Sequence, residues 1–289
     1  MKISLEKDAL CYRLGGDALT QIECLPTLGR MFLQTRNPGG GLGKWVESVA
    51  PLVVDGFNHA FDPDAGLGFS MSHLMAMHLV AGREALPEVP TLDFDFEGCP
   101  AGISLLEVPG ISEPGAIAGF ADFFGTLPVP SEDLEEWRRE NSASTAMCPC
   151  CADAAEKRAR NAELHPFANI LEHASICGIP LRCRLQSEHV DLTAEMIPSK
   201  VVAVDGFLIV NDLDDRCVLH LNLRMVHAYR IDHAQVDGQK IARLSIYDMH
   251  GNLNFEISCE VEEIAAVWRS LSQTTDDYHQ SDEPECGTQ

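Results

Sequence analysis

The densest chemistry in this chain is "MCPCC", Met147 to Cys151. Cys148 and Cys150 form a C-x-C pair, Cys151 adjoins them, and the residues that follow read as the start of a helix. Near a helix N-terminus the dipole favours the thiolate, the form that binds soft metals and performs redox chemistry. A structural zinc site draws on four ligands, usually from two paired knuckles. The chain has no second C-x-x-C; Cys177 and Cys183 lie in "CGIPLRC", and His165 and His173 are the nearest imidazoles that follow. Zinc or iron at Cys148, Cys150 and Cys151 would therefore need ligands from elsewhere in the fold, or from the second subunit of a homodimer. The other reading is a linker that is rich in cysteine.

Histidines and arginines give a second set of candidates. His165 sits in "ELHPF" and His220 in "VLHLNL", where it alternates with Val218 and Asn222 as a sheet residue would. His73 and His78 are five apart in "SHLMAMH", so on one unbroken strand they face opposite sides and cannot share a metal. Arg182 and Arg184 of "LRCRL" are two apart and project from the same face of a strand. The chain carries 44 acids against 21 bases, a net charge of −23. Two guanidiniums on one face of so acidic a protein are either an anion site or partners for surface carboxylates. "NPGGGLGKW", Asn37 to Trp45, has the glycines of a phosphate loop, but Gly43-Lys44 is followed by Trp45 rather than Ser or Thr, and it reads as a mobile loop.

The elements that must position these residues come in two sets. "LDFDFEGCPAGISLLEV", Leu92 to Val108, and "ARLSIYDMHGNLNFEISCEV", Ala242 to Val261, each alternate, turn at an acid and a Gly, and alternate again, as β-hairpins do. Upstream of each lie a "VDGF" (Val54–Phe57, Val204–Phe207) and an "LQ" step ("FLQTRN", "RLQSEH"). Between these come two long alternating runs, Asp62–Val80 and Asp214–Ile231, each reading as two strands with a tight break. After each hairpin comes an acidic start leading to Trp-Arg, in "SEDLEEWRRE" and "EVEEIAAVWRSL". Five elements in one order at nearly constant offset point to a tandem duplication. The fold class is α+β, each half a large, mainly antiparallel sheet with flanking helices. The first repeat spans 1–146, a Cys-rich linker and helix start 147–164, the second repeat 165–272 and a disordered tail 273–289. A helix is expected from Cys151 to Gly178, broken or kinked at Pro166, and Ser131 is the expected N-cap of "SEDLEEWRRE".

Composition narrows the functions. The charge of −23 opposes nucleic acid and anionic membrane, since phosphate binding rests on clustered Lys and Arg. No run of 18 apolar residues occurs, and "MKISLEKDAL" lacks the apolar core of a secretory signal, so a cytoplasmic location is expected. The 11 cysteines, scattered through apolar segments at Cys24, Cys177, Cys183, Cys217 and Cys259, read as buried reduced thiols rather than a disulfide framework.

The repeated elements resemble the HemS/ChuX-type family of haem-utilisation proteins, whose HemS branch is a tandem duplication. "LGRMFLQTRN" looks like that family's "LG-x-V-x-x-x-TRN" stretch, and "SHLMAMHLV" is similar to its "RHW-x-x-A-x-x-V" strand. "DGFLIVNDLDDRCVLHLNL", "GIPLRCRL" and "VWRSL" match in place. The resemblance implies haem as ligand, or a similar planar anion, in trafficking or degradation. It implies an axial ligand at His165, the counterpart of the His in "D-x-H-x-F", with His220 as alternative. Arg36, Arg182, Arg184, Arg224 and Arg230 are the candidates for the haem propionates. The alternative is a non-catalytic duplicated scaffold that has lost haem and binds another small ligand or a protein partner.

Overall fold

The computed structural model describes residues 11–54, 58–83, 86–142, 147–236 and 238–273. Most of the first "VDGF" and the tail from residue 274 lie outside the described residues. The chain divides into two compact units. Unit 1 is Met1–Asn37, Gly43–Ser144 and Leu185–Thr193; unit 2 is Pro38–Leu42, Thr145–Arg184 and Ala194–Gln289.

The elements up to residue 142 are β1 (Cys11–Leu14), α1 (Ala18–Cys24), β2 (Met31–Asn37), β3 (Gly40–Val46), β4 (Leu52–Val54), β5 (His59–Asp62) and β6 (Leu67–Ser70). They continue with β7 (Leu74–Arg83), β8 (Leu86–Phe96), β9 (Cys99–Leu106), α2 (Ala116–Phe124), β10 (Thr126–Val129) and α3 (Ser131–Glu140). After them come α4 (Pro149–Arg160), α5 (Pro166–Cys177), β11 (Leu181–Gln186), β12 (Val190–Met196), β13 (Pro198–Val204) and β14 (Phe207–Asp212). The last are β15 (Cys217–Asn222), β16 (Ala228–Val236), β17 (Gln239–Tyr247), β18 (Leu253–Cys259) and α6 (Ile264–Gln273).

In unit 1 the hydrogen-bonded order is β10-β1-β7-β8-β9-β2-β3, with a second run β12-β6-β5-β4 that uses the first residues of β12. In unit 2 it is β16-β17-β18-β11-β12, with a second run β3-β15-β14-β13 that uses the first residues of β3. β3 and β12 each change unit part-way along their length. Both expected hairpins are present and antiparallel, β8 with β9 and β17 with β18. Both alternating runs break where expected, at short 3-10 turns over Met71–His73 and Leu223–Met225. The α+β class with large antiparallel sheets holds.

The cores follow from the alternation. In unit 1, Leu92, Phe94 and Phe96 of β8 are buried, and Phe69 meets Phe94 and Phe96 edge-on at centroid distances of 6.3 and 6.0 Å. In unit 2, Leu244 and Ile246 of β17, Phe255 and Ile257 of β18 and Trp268 of α6 are buried. α5 packs on β13 and α6.

Three expectations change. The glycine run is not a loop: it forms β3, paired with β15. A Cβ on Gly40, whose φ is 143°, would sit 1.9 Å from the His220 carbonyl oxygen, so glycine is what lets these backbones approach. The helix expected from Cys151 to Gly178 is broken, one of the two alternatives at Pro166: α4 ends at Arg160 and Pro166 takes the first position of α5. Pro130, not Ser131, is the N-cap of α3. His73 belongs to the 3-10 turn and His78 to β7, so they do not share a strand.

Candidate functional site

His165 is the N-cap of α5, where extended backbone lets its ring reach forward. Its Nδ1 accepts the Phe167 N–H at 3.2 Å. The ring meets Phe167 edge-on at 4.5 Å, and Phe167 meets Tyr229 of β16 at 5.2 Å. With 3% of its surface exposed, His165 is a buried cap. His220 lies on the half-buried face of β15, and burial lowers its pKa, which keeps the imidazole neutral.

The basic candidates differ in their commitments. Arg182 and Arg184 do share a face of β11, the first exposed and the second half-buried. Arg224 gives Nε to Glu156 at 2.8 Å and Nη1 to the Asp205 carbonyl at 2.6 Å. Arg230 pairs with Asp232, which also holds Arg243. In unit 1, Arg36 gives Nε to the Ala101 carbonyl at 2.8 Å and Nη2 to Ser104 Oγ at 3.1 Å.

Arg36 borders a buried ionic cluster that the hairpin pattern conceals. Asp93 and Asp95 of β8 are fully buried on the face opposite Phe94. Leu134 of α3 packs with Cys11 and Val80, Trp137 lies against them, and the docked helix delivers Arg138 to both acids. Arg138 Nε is 2.8 Å from Asp95 Oδ1, and Nη1 is 3.0 Å from Asp93 Oδ2. His78 Nδ1 is 2.7 Å from Asp95 Oδ2, and the Ala101 N–H donates to Asp95 Oδ1 at 2.7 Å. Burial works to raise the Asp95 carboxyl, but the His78 bond and the Arg138 charge outweigh it and hold it below the ordinary range. The two buried acids face the guanidiniums of Arg138 and Arg36. Such a closed network suits holding α3 in place better than it suits catalysis.

Unit 1 also has an open groove of about 300 Å³ beside β5, β6 and the start of β12, lined by His59, Phe61, Ser70, Glu188, His189 and Asp191 among others. His59 lies opposite Ser70, and the Ser70 N–H donates to the His189 carbonyl at 2.9 Å. The His189 ring stacks on His73 at 4.0 Å and 9°. Burial lowers the His189 pKa, and the charge of His73 adds to the effect. Sequence reasoning missed this group, because "SEHVD" reads as a turn and only the pairing of β12 with β6 brings His189 to His73 and His59. The groove has room for part of a planar ligand, but its charged lining is acidic and does not suit carboxylates.

In unit 2 the three sulfur atoms of Cys148, Cys150 and Cys151 lie within 4.8 Å of one another at the start of α4. Cys148 is the N-cap, and its Sγ is 2.9 Å from Cys150 Sγ. Of the cysteines read as buried, Cys183, Cys217 and Cys259 are, Cys24 is half-buried and Cys177 is exposed. Among the described residues no helix is long and apolar enough to cross a membrane.

No family model matches the chain, and no curated protein matches it by sequence. Solved structures do. PhuS from Pseudomonas aeruginosa, described as a heme-binding protein, aligns at a TM-score of 0.62 and 14% identity over 91% of this chain and 86% of its own. ChuS from Escherichia coli, described as a heme degrading enzyme, aligns at 0.65 and 13% over 91% and 86%. The chain shares the fold of PhuS and ChuS. A second ChuS structure, described as a heme oxygenase, agrees at 0.64 and 12% over 92% and 89%. At this identity the likeness to PhuS and ChuS is one of architecture, and it spans both units.

Proposed function

We propose that this chain binds haem for haem or iron utilisation in the cytoplasm, by trafficking or degradation, on a scaffold made by tandem duplication. The observation that carries the reading is the shared fold, over nine-tenths of the chain, with PhuS and ChuS, described as heme-binding and heme degrading. Duplication accounts for the strand orders, since β7-β8-β9-β2-β3 has the same plan as β16-β17-β18-β11-β12, and β6-β5-β4 the same plan as β15-β14-β13.

His165 is the proposed axial ligand, with His220 as the alternative. Unit 2 fits haem in residue type: a buried neutral imidazole, aromatic neighbours in Phe167 and Tyr229, and the outward pair Arg182 and Arg184 for carboxylates. Arg224 would join them on leaving Glu156, and Arg36 is the candidate in unit 1. Bound haem would supply the iron chemistry, while the protein supplies the imidazole, the cations and exclusion of water. In the neutral tautomer that accepts at Nδ1, His165 carries its proton on Nε2. Offering a lone pair to iron from either nitrogen thus means moving that proton or giving up the cap of α5.

That conflict defines the test, because Asn is a good N-cap but a poor iron ligand. Hemin titration of the wild type should give a saturable Soret shift that His165→Asn abolishes with its circular dichroism unchanged. A shift that survives in His165→Asn but is lost in His220→Ala would move the ligand to His220. No specific shift in the wild type would overturn haem binding and leave a scaffold for another small ligand or a protein partner.

A further inference from the structure

We propose that Cys148, Cys150 and Cys151 form a three-thiolate site for a soft monovalent metal ion, Cu(I), independent of the haem reading. The three sulfurs converge within 4.8 Å, which suits one ion bound by all three. They also share the N-terminal end of a 12-residue helix, whose dipole favours the negative charge that three thiolates bring.

The helix is anchored away from the thiols. Ala155 and Ala159 are buried, Glu156 pairs with Arg224, and Arg158 donates to the Leu223 carbonyl at 3.2 Å. These contacts fix α4 one to two turns beyond the cysteines, so the cluster is presented on a held element rather than on a flexible linker.

The number of donors selects the ion. Among the described residues the cluster of His, Cys, Asp and Glu ligands stops at three, and residues 143–146 are Ala, Ser, Thr and Ala. Structural zinc closes a tetrahedron with four protein ligands, whereas Cu(I), equally suited to soft thiolates, is satisfied by three. Met147, next in the chain, carries a further soft sulfur. Zinc or iron, the ions expected from the sequence, would each need donors that the cluster does not supply. On binding, each thiol passes its proton to water as its sulfur takes the metal, so three protons leave per ion and uptake strengthens with pH. No change of oxidation state is involved.

The test uses the full, reduced chain without haem under anaerobic conditions, competing with bicinchoninate for Cu(I). The wild type and Cys177→Ser, an exposed cysteine elsewhere, should each withdraw one equivalent. The combined Cys148→Ser, Cys150→Ser, Cys151→Ser variant should lose that equivalent with unchanged circular dichroism. Retention of the equivalent by the triple variant, or no uptake by the wild type, would overturn the proposal. So would Zn(II) displacing Cu(I) from the wild type at equal concentration. If the triple variant misfolds, Cys148→Ser alone serves, since it removes one donor at a cap position where serine is well suited.

Discussion

At the scale of single residues, the most consequential group is Arg138, one guanidinium between two fully buried carboxylates. Removing one partner of a buried ionic group leaves uncompensated charge, which costs about 3–5 kcal/mol. Arg138→Met should therefore lower the unfolding free energy from urea titration by an amount of that order, while Arg139→Met, on the exposed side of the same helix, should change it little. Asp95 adds a pH dependence. Its folded pKa lies below the unfolded value, so its stabilisation is fully present above an unfolded pKa of about 3.9 and is lost as pH falls through the folded one. His189 shares the sign at higher pH. Its folded pKa is below about 6.5, so its stabilisation fades as pH falls from there. Urea titrations at stepped pH should show both losses, with His189→Gln removing only the upper one. Neither cluster was legible in the sequence. "LDFDF" alternates as a half-solvated strand does, and nothing local says that α3 covers the acidic face.

At the scale of elements, much was legible, because period-two alternation with turn residues is a local signal. The two hairpins, both strand breaks and α3 lie where the pattern puts them. One reading failed for an identifiable reason, and one left two outcomes open. Glycine has poor strand propensity, so β3 looked like a loop, although its glycines serve the close approach of β15. Pro166 left a break and a kink both open, because proline interrupts a helical pattern but also suits the first position of a new helix, and the break is what occurs. Gly40→Ala puts a methyl into the His220 backbone, and the strands must part. A loss on the order of 3 kcal/mol in denaturant stability is expected, with the β-sheet signal weakened before the helical one.

At the scale of the whole molecule, the repeated order of elements was readable because order survives when individual motifs drift, and the strand plan repeats across both sets of elements. The proposed binding residues were less readable. His165, Arg224 and Arg36 were picked out by type and place; Arg224 and Arg36 hydrogen-bond to residues distant in the sequence, whereas the His165 cap to Phe167 is local. A chain of charge −23 that takes up an anionic ligand should bind it more tightly as salt rises and long-range repulsion is screened. Hemin affinity measured across a salt series, with aggregation controlled, should move in that direction for this protein. A site dominated by exposed arginines would move the other way.

The mid-strand change of unit in β3 and β12 has a consequence for synthesis on the ribosome. Unit 1 counts Leu185–Thr193 among its own residues, so translation must pass residue 193 before its second strand run can gain the edge strand next to β6. A nascent chain arrested after α3 therefore carries an unfilled edge at β6, the kind of edge on which chains aggregate. Arrest beyond β12 should make the same segment resistant to protease, and the order of emergence, rather than the stability of either unit, would set when this protein first becomes safe from misassembly.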